Sequence, residues 1–84
     1  MQLTQIQLDA IKKQYRLSPR EIQIVDLILK GIESNEEISK NLGVTVLSAK
    51  RYVHDLYAKI GISSKLGVAL KIINSIHKSN PMSF

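Results

Sequence analysis

Residues 34–61 read SNEEISKNLGVTVLSAKRYVHDLYAKIG, and the punctuation in this stretch decides the fold. Ser34 with Glu37 has the spacing of a capping box, which opens a short helix with Ile38 and Leu42 turned inward and Gly43 as its stop. Thr45 then caps a longer helix. In it Val46, Ala49, Val53, Leu56, Tyr57 and Ile60 fall on one third of the circumference at about 100° per residue, and Gly61 closes it. A short helix, a Gly43-Val44-Thr45 turn and a longer helix have the proportions of a helix-turn-helix, in which the second helix enters the DNA major groove. Glycine turns also join helix pairs in many other all-α domains, so the outward face has to carry the argument. That face holds Leu47, Lys50, Arg51, His54, Asp55 and Ala58. Arg51 has the donor fork for the O6 and N7 of a guanine, Lys50 reaches a base or a phosphate, Leu47 fits a thymine methyl, and His54 is a further donor.

Working outward, Ser18-Pro19-Arg20-Glu21 is a second capping box, with proline at the first helical position. Ile22, Val25, Leu29 and Ile32 share a face of the helix that follows, and Gly31 is its left-handed terminator. Ser63 or Ser64 opens a helix that runs to about Lys78, with Pro81 beyond it. At the other end Thr4 to about Gln14 predicts an additional amphipathic helix, with Leu3, Ile6, Ala10 and Ile11 inward. No stretch alternates long enough to be a strand. The expected fold is all-α: a four-helix bundle containing a helix-turn-helix, with an additional N-terminal helix. The expected boundaries are 1–16 for the N-terminal helix or a former linker, 17–78 for the domain, and 79–84 for a flexible tail.

With 84 residues, 44% of them hydrophobic and 23% charged, the chain has the balance of one small folded domain. It has no cysteine, which removes disulfide frameworks and cysteine-built zinc sites. It has no apolar run long enough to span a bilayer and no secretory leader, so no membrane is expected and the cytoplasm is the expected location. Charge is lopsided. Residues 1–44 balance, whereas residues 45–84 carry Lys50, Arg51, Lys59, Lys65, Lys71 and Lys78 against Asp55 alone, which is the whole net +5. A positive half suggests a polyanion partner, though basic surfaces also arise without one. The two histidines and seven carboxylates show no nucleophile–base spacing, and no glycine-rich phosphate loop is present, so neither an enzyme, a metal, a cofactor nor a small-molecule ligand is expected.

Leu17-Ser18-Pro19-Arg20-Glu21, Gly31, Glu37-Ile38, Leu42, Val44, Thr45-Val46, Lys50 and Lys59-Ile60-Gly61-Ile62 together resemble the LuxR-type (GerE or NarL/FixJ) DNA-binding domain. Its pattern reads L-T-x-R-E, then G-x-S-N-K-E-I-A, then I-S-x-x-T-V-K-x-H, then K-L-G-V. The likeness runs from about Leu17 to Ser75. It implies a four-helix domain for bacterial transcriptional control, with the third of those helices reading DNA. Carried over by position, base reading falls on Lys50, Arg51 and His54, and phosphate contact on Thr45 and Lys59. Lys65 and Lys71 are expected to add phosphate donors. This chain departs from the pattern in one extra residue between Gly31 and Ile38, in Ala49 for valine, in Tyr52 for histidine and in Asp55 for asparagine. Domains of this type usually follow a receiver or ligand-binding domain. The chain is therefore expected to be either a stand-alone regulator or the output part of a longer one.

The last helix is apolar over close to 200° by wheel count, with Leu66, Ala69, Leu70, Ile73 and Ile76 on one arc and Val68 and Ile72 extending it. One core needs less. The expected use is a homodimer surface built on Leu66, Leu70 and Ile73, which the resemblance also implies; the alternative is that the N-terminal helix folds back to cover the excess. A protein-interaction module on the same scaffold, binding another regulator, is the competing function.

Overall fold

The computed structural model describes residues 1–78; the tail expected over 79–84 lies outside the described residues. Helices α1 (Gln5–Tyr15), α2 (Pro19–Leu29), α3 (Asn35–Leu42), α4 (Val46–Ile60) and α5 (Lys65–Lys78) follow one another without a strand among the described residues. The all-α expectation holds.

Each start is set by a local side chain. Ser18 Oγ accepts from the Glu21 N–H at 3.2 Å while Glu21 Oε1 accepts from the Ser18 N–H at 2.7 Å, so the box at α2 is complete. Thr4 and Gln7 form a further complete box at α1, which the sequence reading passed over. At α3 only the hydroxyl arm forms, from the Glu37 N–H to Ser34 Oγ at 3.1 Å; the expected return bond from the Glu37 carboxylate is absent, since that side chain is exposed and hydrated instead. Thr45 Oγ1 takes the Ser48 N–H at 3.1 Å, and Ser64 Oγ takes that of Gly67 at 3.0 Å.

The ends repeat one device. A residue in the left-handed region closes the helix, and the apolar residue after it donates its N–H five positions back. Leu17 reaches Lys12 O at 2.9 Å, Ile32 reaches Leu27 O at 3.0 Å, Val44 reaches Ser39 O at 3.0 Å and Ile62 reaches Tyr57 O at 3.2 Å. At the helix-turn-helix corner the left-handed residue is Gly43 (φ 70°), which has no Cβ to strain. At the end of α1 it is Arg16 (φ 56°), the one non-glycine residue with positive φ among the described residues. That position costs an L-residue about 1 kcal/mol.

Helix α2 packs against each of the other four. It can do so because it is apolar on two sides: Ile24, Val25, Ile28 and Leu29 are all buried. Ile24 and Ile28 lie off the face anticipated from Ile22, Val25, Leu29 and Ile32, and Ile22 and Ile32 are only half-buried. With Ile38, Leu56, Val68 and Ile72 they make one core, each large side chain worth about 1.5–3 kcal/mol. The expected inward face of α1 needs correction. Leu3 and Ile11 are buried, but Ile6 is 82% exposed and Ala10 also faces solvent; Leu8 and Tyr15 pack instead. Leu3 precedes the Thr4 cap and so does not belong to the helical wheel, whose phase is set by Leu8, Ile11 and Tyr15 at steps of three and four. Val46, expected in the core, is exposed because the first turn of α4 projects past the end of the bundle.

Candidate nucleic-acid interface

The outward strip of α4 follows from how the helix is buried. Ala49, Val53, Leu56 and Ile60 are closed off against α2 and α3, which leaves Leu47, Lys50, Arg51, His54, Asp55 and Ala58 in solvent. Leu47 is 79% exposed, a large apolar side chain with no packing role in the monomer. Leu47, Ser48, Lys50, Arg51 and His54 line a shallow open depression. Lys50, Arg51 and His54 form no hydrogen bond or ion pair within the described residues, so their donors are uncommitted. Asp55 is not paired with Arg51. The strip is presented by a braced corner: Arg20 Nη1 of α2 donates to the Leu42 carbonyl at 3.0 Å, holding the end of α3 where the turn into α4 begins.

The residues expected at phosphates are placed differently from one another. Thr45 stands exposed at the α4 N-terminus, its hydroxyl accepting from the Ser48 N–H and donating to Ser48 Oγ at 3.0 Å. Lys65 is half-buried at the start of α5. Lys71 is turned inward, donating to the Ile60 carbonyl at 2.9 Å and so capping the C-terminus of α4. Lys59 lies 2.7 Å from Glu21 Oε1 and also donates to the Arg16 carbonyl at 3.2 Å, with 41% of its side chain exposed. Burial raises the Glu21 pKa, but the Lys59 and Ser18 hydrogen bonds and the Lys59 charge together outweigh it, leaving the carboxyl below its ordinary value. Sequence reading gave Glu21 only its capping role. Its partner is 38 residues away, and no local spacing signals the pair.

On α5 the two faces separate. Val68 and Ile72 are fully buried, Ala69, Ile73 and Ile76 half-buried, while Leu66 and Leu70 are 71% and 54% exposed. They remain exposed with α1 in place, because α1 packs on α2 and meets α5 through Tyr15, whose hydroxyl lies 3.0 Å from Ser75 Oγ.

A helix-turn-helix with this braced corner and uncommitted strip is what the family comparison recognises: residues 15–72 match the model for bacterial regulatory proteins of the luxR family. The chain belongs to that family. A transcriptional regulatory protein, MctR, of Rhizobium johnstonii is 40% identical over 52 residues, which cover 62% of this chain and 24% of MctR. The chain thus matches about a quarter of that regulator's length. No solved structure gives a significant match. As a LuxR-type domain, the chain is a DNA-binding helix-turn-helix unit of transcription regulation. The matched stretch begins at Tyr15, so nearly all of α1 lies before the LuxR-type region. Among the described residues no helix is long and apolar enough to cross a membrane.

Proposed function

We propose that this LuxR-family domain binds duplex DNA sequence-specifically to regulate transcription in the bacterial cytoplasm. Helix α4 lies in the major groove with Leu47, Lys50, Arg51 and His54 at base edges, while Thr45, Lys59 and Lys65 meet phosphates. Two copies pair through α5 about Leu66, Leu70 and Ile73, and so present two α4 helices to two half-sites. The observation that carries the reading is the α4 strip, where uncommitted long donors and an exposed leucine lie opposite a fully buried face.

The decisive experiment is selection of bound sites from random duplexes, followed by a salt titration on the selected site. Because Lys71 is bonded to the Ile60 carbonyl, the expected count is two or three phosphate contacts per subunit. A dimer then gives a slope of log K against log salt of about −4 to −5. A slope near zero, or no selected sequence, overturns the DNA reading in favour of docking to another regulator.

Arg51→Ala and Lys65→Ala are expected to fail in different ways. Loss of the guanidinium costs about 1–3 kcal/mol on the selected site and relaxes preference at one base pair. Loss of Lys65 weakens all sequences nearly alike. Binding assays on the selected site and on single-base variants separate the two; sequence-independent losses for both would move base reading off α4.

A further inference from the structure

We propose that the Arg16 corner is a positioning device for DNA binding: docking of α1 holds the Arg16 carbonyl against the Lys59 ammonium and orders that ammonium for a DNA phosphate. The inference rests on the DNA-binding reading above and adds to it a helix that lies almost wholly outside the LuxR-type region.

The first observation is the odd corner. Helices α1 to α4 end in the same left-handed closure, and glycine occupies the left-handed position at Gly31, Gly43 and Gly61 but not at Arg16. Arg16 is exposed, and its side chain makes no hydrogen bond or ion pair in the described residues that would offset the strain. A strained backbone position persists only where its surroundings over-determine it. Here they do so from three sides: Ile11 and Leu17 are buried on either side of the corner, Tyr15 is tied to Ser75 of α5, and the carbonyl of Arg16 itself is held by Lys59 of α4.

The second observation is the state of Lys59. A lysine ammonium has three donors. Two are taken, by Glu21 Oε1 at 2.7 Å and by the Arg16 carbonyl at 3.2 Å, and the side chain is still 41% exposed, so the third faces outward. A free lysine stem has many rotamers and loses them on binding; this one is already fixed at both ends. Glu21 belongs to the α2 cap and stays in place whatever α1 does. The Arg16 carbonyl does not, because it moves with α1. Lys59 is therefore the atom through which the α4 surface registers whether α1 is docked, and whatever pulls α1 from α2 weakens DNA binding through it.

Backbone geometry can be tested apart from charge, because Arg16→Asn and Arg16→Val both remove the guanidinium while only asparagine tolerates the left-handed region. On the selected duplex, in the full chain, Arg16→Val is expected to bind about fivefold more weakly than Arg16→Asn, the low end of site-to-site coupling for a part-exposed contact. Its salt slope falls by about 0.9, one phosphate contact, and so does that of Lys59→Met. Arg16→Val combined with Lys59→Met binds no more weakly than Lys59→Met alone. Coupling must also run in reverse, so Lys59→Met lowers the hydrogen-exchange protection of the Leu17 amide, which closes α1, whereas Arg16→Asn does not. Equal binding by the two Arg16 variants, multiplying losses in the double variant, or unchanged Leu17 protection in Lys59→Met would each overturn the proposal; the last also decides it should Arg16→Val fail to fold. A wild-type chain that binds no duplex would instead sink the DNA-binding reading, and this proposal with it.

Discussion

Leu70→Glu is expected to convert a dimer into a folded monomer and to weaken binding to a two-half-site duplex by about 100-fold. The side chain is 54% exposed in the single chain, so the substitution removes no core packing and the helical circular dichroism is unchanged. In a two-fold interface it places two carboxylates into one apolar contact, since each subunit contributes the same residue. Leu66→Glu, at 71% exposure, is expected to behave alike. Sedimentation at high micromolar concentration reads the mass, and duplexes with half-sites about 10 base pairs apart read cooperativity. Loss on DNA follows because the partner's α4 no longer arrives with the first. A wild type that sediments as a monomer and binds one half-site without cooperativity would show that these leucines do not serve a dimer.

Glu21→Ala is expected to cost about 2–3 kcal/mol of folding stability, the range for charged hydrogen bonds lost from a closed site, reduced because Lys59 can rehydrate. The carboxylate is 3% exposed and serves two elements at once, taking the Ser18 N–H that starts α2 and the Lys59 ammonium from the end of α4. The pH dependence has a fixed sign. A carboxyl held below its ordinary value of 4.5 in the folded chain contributes stability that is fully present above that value and is lost as pH falls through the folded pKa. Glu21→Gln should therefore be less stable than wild type at neutral pH, with the gap closing in acid. Urea unfolding at pH 7 and pH 3 measures it; a gap that stays constant would mean that the charge on Glu21 contributes nothing.

Helix number, order and ends were legible in the chain because their causes are local. A serine or threonine cap acts within three residues, a glycine terminator within one turn, and helical periodicity within two turns, so residues 18–61 carried their own instructions. The outward strip of α4 was legible for the same reason, since one buried stripe on a helix fixes what lies opposite. Where a helix was short the wheel misled: Leu3 was counted on α1 although it precedes the cap, and that error turned Ile6 inward.

Tertiary structure alone decided how the charges are used. The basic half was visible by counting, but whether a lysine meets DNA or its own fold depends on which acceptor folding places within reach of its long stem. Folding brought Glu21 to Lys59 across 38 residues and the Ile60 carbonyl to Lys71 across 11, so two of the counted cations acquired internal partners. It also decided that α1 lies on α2 and leaves Leu66 and Leu70 bare. The sequence by itself determined the elements and the face that α4 shows to solvent, because hydrogen bonding and periodicity act over neighbours. Packing decided which charges remain free and which apolar surface is left over, because desolvation and ion pairing depend on distances that only the assembled helices define.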